Sequence, residues 1–91
     1  PFMTIIFTKH AYQKFDILRR HTVVISEVAV RTTIEQPERL DYSRVPLIIA
    51  QRAIDNTHVL RVVYKQEFGV ITVITFYPGR KKDYEKNSAK K

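Results

Sequence analysis

The stretch HVLRVVYKQEFGVITVITFYPGRKK, residues 58–82, alternates apolar and polar side chains on both sides of one glycine and then ends in a run of cations. Two β-branched and aromatic runs separated at Gly69 read as paired strands of a hairpin, and Pro78-Gly79 ends the second of them. In the first run Val59, Arg61 and Val63 share one face of the strand, and Leu60, Val62 and Tyr64 share the other. Arg61 therefore sits among β-branched neighbours, where a guanidinium is costly unless it meets an anion. A phosphate pairs with it bidentately. A carboxylate such as Glu35 or Asp41 is an alternative partner, and a solvent-facing position would need none.

The residues before the hairpin complete an α+β order. MTIIF, residues 3–7, is a short β-branched and aromatic run and reads as a first strand. The period then changes. Ala11, Phe15 and Leu18 fall on one stripe of a helix over about residues 9–20, with Thr8 placed to cap it and Phe7 and Tyr12 spaced as a hydrophobic staple. Ser26 is placed to cap a second helix, with Ile25 and Val30 at staple spacing, Val30 and Ile34 on the buried stripe, and Pro37 limiting its extension. TVVISEVAV, residues 22–30, is β-branched enough to compete as a strand. VPLIIAQRAI, residues 45–54, reads as a strand with Pro46 near its start. The expected fold is β-α-α-β-β-β: two N-terminal helices packed on one face of a mainly antiparallel four-stranded sheet.

Bulk properties fit one small folded domain. A chain of 91 residues, 44% hydrophobic with five Phe and five Tyr, has room for one core. We assign it to residues 1–84, with 85–91 as a basic tail. No cysteine is present, which excludes a disulfide framework and thiolate chemistry. No apolar run approaches the roughly 20 residues a membrane helix needs, and no signal peptide is recognisable, so the expected location is the cytoplasm. The net charge is +7, of which +4 falls on residues 80–91, and it favours a polyanionic partner through counterion release.

Four stretches carry a family resemblance: FTKHAYQKF (7–15), the helix ending in IEQP (34–37), LRVVY (60–64) and VITFYPGRKKDYEK (73–86). Together they resemble the small toxins of the RelE/ParE superfamily, most closely the BrnT-like branch. That resemblance implies a RelE-like fold and the toxin of a type II toxin-antitoxin system. Such a protein is a cytoplasmic endoribonuclease that cleaves messenger RNA, bound to ribosomes in many members, and a cognate antitoxin neutralises it in a hetero-oligomer. ParE-like members of the superfamily act instead by binding a protein. A basic nucleic-acid-binding module without toxin activity is a further alternative.

Internal RNA cleavage needs a base for the 2′-hydroxyl, cations at the crowded phosphate and an acid for the leaving oxygen. Arg61 and Arg80 suit the cationic role, and Tyr84 suits an acid or a stacking platform. His10, matching the KHA of the BrnT-like relatives, is the candidate for direct proton transfer. The RNA-binding candidates are Lys14, which shares a helix flank with His10 and His21, together with Tyr64, Lys81 and Lys82. His58 is a weaker candidate for chemistry. Three scattered histidines without cysteine make no metal site, and no cofactor is expected.

Overall fold

Two side-chain caps decide where the helices begin. In the computed structural model, which describes residues 3–84, α1 spans Lys9–Arg20 and the Thr8 hydroxyl accepts the Ala11 N–H at 3.1 Å. The expected staple closes above it, with the Phe7 and Tyr12 ring centroids 5.1 Å apart. α2 spans Glu27–Glu35, and Ser26 accepts from the Ala29 N–H at 3.0 Å. The cap and the spacing of Val30 and Ile34 thus outweigh the β-branched composition of this segment.

The strands are β1 (Thr4–Phe7), β2 (Arg39–Asp41), β3 (Ile48–Ala53), β4 (His58–Glu67) and β5 (Val70–Arg80). They form one sheet in the order β1-β5-β4-β3-β2, with β1 parallel to β5 and every other pair antiparallel. The α+β class and the helical layer on one face agree with expectation. The sheet differs: it has five strands rather than four, because the three residues of β2 pair with β3, and it is mixed, because β1 runs parallel to β5. A run so short and polar carries no alternation to betray it. β4 and β5 meet at Phe68 and Gly69, both with positive φ (51° and 78°), the backbone of a two-residue hairpin turn that matches strand twist.

Ala11, Val30, Ile34, Leu60, Val62, Tyr64, Ile71, Val73 and Phe76 form the core between helices and sheet, and the ring of Phe15 of α1 packs at a tilt against Phe76, with centroids 4.5 Å apart. A bulge sets the other face. Tyr64 pairs with Val73 and Val63 with Thr75, so Ile74 is an extra residue and β5 reverses its alternation there. Beyond the bulge Phe76, Pro78 and Arg80 face the same way as Leu60 and Val62, whereas Tyr77 and Gly79 face the same way as Arg61. After β5 the chain makes a helical turn over residues 81–84. The basic tail expected at 85–91 lies outside the described residues. Among the described residues no helix is long and apolar enough to cross a membrane.

Candidate functional site

The C-terminal end of the sheet carries two clusters, one on the face turned away from the helices and one at the strand ends. Strand register builds the first. Arg39, Gln51, Arg61 and Tyr77 stand opposite one another across β2, β3, β4 and β5, and Asp41 is in the neighbouring row. The Arg61 side chain is almost wholly buried. Its Nε donates to the Tyr77 hydroxyl (3.1 Å), one terminal nitrogen to Gln51 and the other to Asp41 (3.0 Å). The ring of Tyr84 covers the guanidinium, 4.3 Å from its carbon to the ring centroid. Arg39 fixes this segment by donating to the Tyr84 carbonyl at 2.7 Å.

The anion that Arg61 meets is therefore Asp41, one of the carboxylates considered from sequence. Burial opposes the charge of Arg61, but the bonds to Tyr77 and Asp41 outweigh it, so its pKa is raised. The Ser43 hydroxyl and N–H, and then Arg61, hold the Asp41 carboxyl down to about 2. With its nitrogens bonded and its face covered, Arg61 presents no open cation to a phosphate in this arrangement.

Gly79 makes that cover possible. A Cβ built there would clash with Tyr84 Cε2, inside any real contact distance. Gly79→Ala is expected to push the Tyr84 ring off the sheet and remove its stacking on Arg61, at a cost of about 1 kcal/mol. Faster hydrogen exchange at the Arg61 guanidinium by NMR would register the opening. Unchanged exchange would mean that the ring shifts without uncovering Arg61.

The second cluster lines a cleft of about 460 Å³ formed by Asn56, Thr57, His58, Arg80, Lys81 and Lys82. Pairing of β4 with β5 sets His58 opposite Arg80, and the Lys81 N–H donates to the Thr57 carbonyl at 2.8 Å, anchoring the basic run to the turn before β4. Arg80 and Lys82 are exposed, and among the described residues none of the three cations has an ion-pair partner. The turn itself is held by Asp55, whose carboxylate accepts the N–H groups of Thr57 and His58, each at 2.8 Å. The Thr57 N–H is the leading cause that holds the Asp55 carboxyl at about 2, against a smaller opposing effect of burial. Like-charged side chains around an open cleft form a surface suited to an anion.

The structure brings Arg80, Lys81 and Lys82 together but separates them from Arg61, because the bulge turns Arg80 toward the other face. Tyr84 joins the Arg61 cluster. Tyr64 lies in the core, 5% exposed, under the helices, and burial raises its pKa; contact with RNA does not fit that placement. His10 and Lys14 belong to α1, on the opposite side of the sheet from Arg61, and neither lines the basic cleft. Residues that sequence reasoning passed over are Asp55 and Thr57. Their signal was the run DNTH, residues 55–58, in which Asp bonds the N–H two residues on, as in an Asx turn. Among the described residues no three metal-ligating side chains converge. Comparison of the chain with protein-family models, with curated proteins and with solved structures gives no match.

Proposed function

We propose that this chain is a toxin of RelE-like fold, an endoribonuclease that cleaves messenger RNA in the cytoplasm and is silenced by a cognate antitoxin. The observation that carries the reading is the cleft at the end of β5, where Arg80, Lys81 and Lys82 gather beside His58 and the 55–58 turn. Cations held at one open cleft suit the phosphodiester backbone and the charge that develops on it during cleavage. The order of elements, with two helices on one face and the basic segment following the last strand, is compatible with the superfamily that the sequence resembles. An antitoxin would act most directly by covering the same cations with acidic side chains.

One observation favours a second reading, that of a toxin or nucleic-acid-binding protein without catalysis: the guanidinium of Arg61 is committed to Asp41, Gln51 and Tyr77 under Tyr84. Expression of the protein alone from a tightly controlled promoter separates the two. Growth arrest is expected, with new 5′ ends on messenger RNA mapped by primer extension within minutes. Arrest with intact message would favour the second reading, and unimpeded growth with the protein present and folded would remove the toxin assignment.

A further inference from the structure

The imidazole of His58 lines the basic cleft and is half-exposed, and its Nδ1 faces the turn: Thr57 Oγ1 is 2.8 Å away and Asp55 Oδ1 3.2 Å. An ionised carboxylate beside Nδ1 places the ring proton on that nitrogen, so the neutral imidazole keeps its lone pair on Nε2. Among the described residues Nε2 has no hydrogen-bond partner. A base oriented by a carboxylate, with its second nitrogen available and cations next to it, is the arrangement that proton transfer at a phosphodiester requires.

We infer that His58 is the proton-transfer group of this cleft, with Asp55 as its positioning residue, acting on the 2′-hydroxyl of an RNA strand whose phosphate is held by Arg80, Lys81 and Lys82. The inference rests on the ribonuclease reading and names its catalytic base. Nε2 takes the 2′-hydroxyl proton as the 2′-oxygen forms a bond to phosphorus. The bond from phosphorus to the 5′-oxygen breaks, its electron pair stays on that oxygen, and a lysine ammonium of the cleft protonates it. Solvent then restores the lysine proton and removes the one on His58. The products are a 2′,3′-cyclic phosphate and a 5′-hydroxyl, with no water or oxidant consumed. The charged groups around the ring are Asp55 in its own turn, and Arg80, Lys81 and Lys82 from the end of β5 and the following helical turn.

The test is single-turnover cleavage by the purified full chain between about pH 5 and 9, on a short RNA and on ribosome-loaded message. Wild type should show a rate that rises with pH to a plateau and should leave cyclic phosphate ends. His58→Gln should lower the rate by about 10²–10³ and abolish the rising limb, while the Kd for a 2′-deoxy analogue stays within about twofold. Asp55→Asn should lower the rate about tenfold and leave the Kd for the 2′-deoxy analogue within about twofold, as expected when the ring is mispositioned but RNA binding is not lost. Circular dichroism controls for folding. Should either variant unfold, NMR of the wild type decides: the 2′-deoxy analogue is expected to shift the His58 ring signals and their titration midpoint, and no shift overturns the inference. Equal rates and pH profiles for wild type and His58→Gln also overturn it, and leave the ribonuclease reading standing. No cleavage of either substrate by wild type overturns both.

Discussion

Arg61→Ala is expected to lower the stability of the fold by about 3 kcal/mol, read as a shift of the urea midpoint by circular dichroism. The guanidinium ties together three strands, through Asp41 of β2, Gln51 of β3 and Tyr77 of β5, and supports the Tyr84 ring from below. Its loss leaves the Gln51 side chain, 2% exposed, without its donor. The Asp41 side chain is 30% exposed, so water can take over part of its solvation, which keeps the expected cost at the low end for a broken buried pair. Arg61→Lys keeps the charge but not the planar fork and should fall between the two.

Acid titration separates the contributors to this cluster. The folded-state pKa of Asp41 is depressed, so its contribution is fully present above the ordinary value of 3.8 and is lost as pH falls toward about 2. Ser43 is the largest cause of that depression and Arg61 the lesser, so Arg61→Ala should retain most of the acid sensitivity of wild type while losing stability at neutral pH. A cost below about 1 kcal/mol at neutral pH would show that Tyr77, Gln51 and Asp41 hold the sheet without their shared cation.

The caps explain how much of this fold the sequence makes legible. Thr8, Ser26 and the Phe7–Tyr12 pair are local signals, read within one turn of helix, and each occurs where its spacing predicts. The hairpin around Gly69 is equally local, as is the division of β4 into an Arg61 face and a Tyr64 face. Tyr64 lies in the core with Leu60 and Val62, the more apolar set of β4 and hence the one to expect under the helices. What stayed hidden is non-local. β2 exists only because Arg39–Asp41 pairs with β3, and that pairing is what brings Asp41 into reach of Arg61; sequence could offer Glu35 and Asp41 only as alternatives. The bulge at Ile74 lies inside the uniform run VITVIT, so nothing in the pattern signalled that Arg80 would turn away from Arg61. The cleft followed from the turn at residues 55–58, whose Asp-Asn-Thr-His composition marks a loop without disclosing which strand end it will face.

Reversing both charges in Arg80→Glu/Lys81→Glu is expected to weaken binding of single-stranded RNA by about 10²–10³ at moderate salt, since it removes two phosphate contacts and introduces repulsion. The fold should tolerate the change. Arg80 is exposed, neither side chain has an ion-pair partner among the described residues, and the contact that anchors Lys81 to Thr57 is made by its backbone N–H, which the substitution keeps. Salt gives the sharper diagnosis. Each phosphate contact on a single strand adds about 0.7 to the slope of log K against log salt, so the double variant should lose roughly 1.4 from the wild-type slope. Fluorescence anisotropy of a labelled RNA across a salt series measures both quantities. An unchanged slope with weakened binding would mean that the variant disturbed the turn rather than removed phosphate contacts. Unchanged affinity and slope together would place the RNA elsewhere on the surface and would leave the cleft of His58, Arg80, Lys81 and Lys82 without a polyanion to hold.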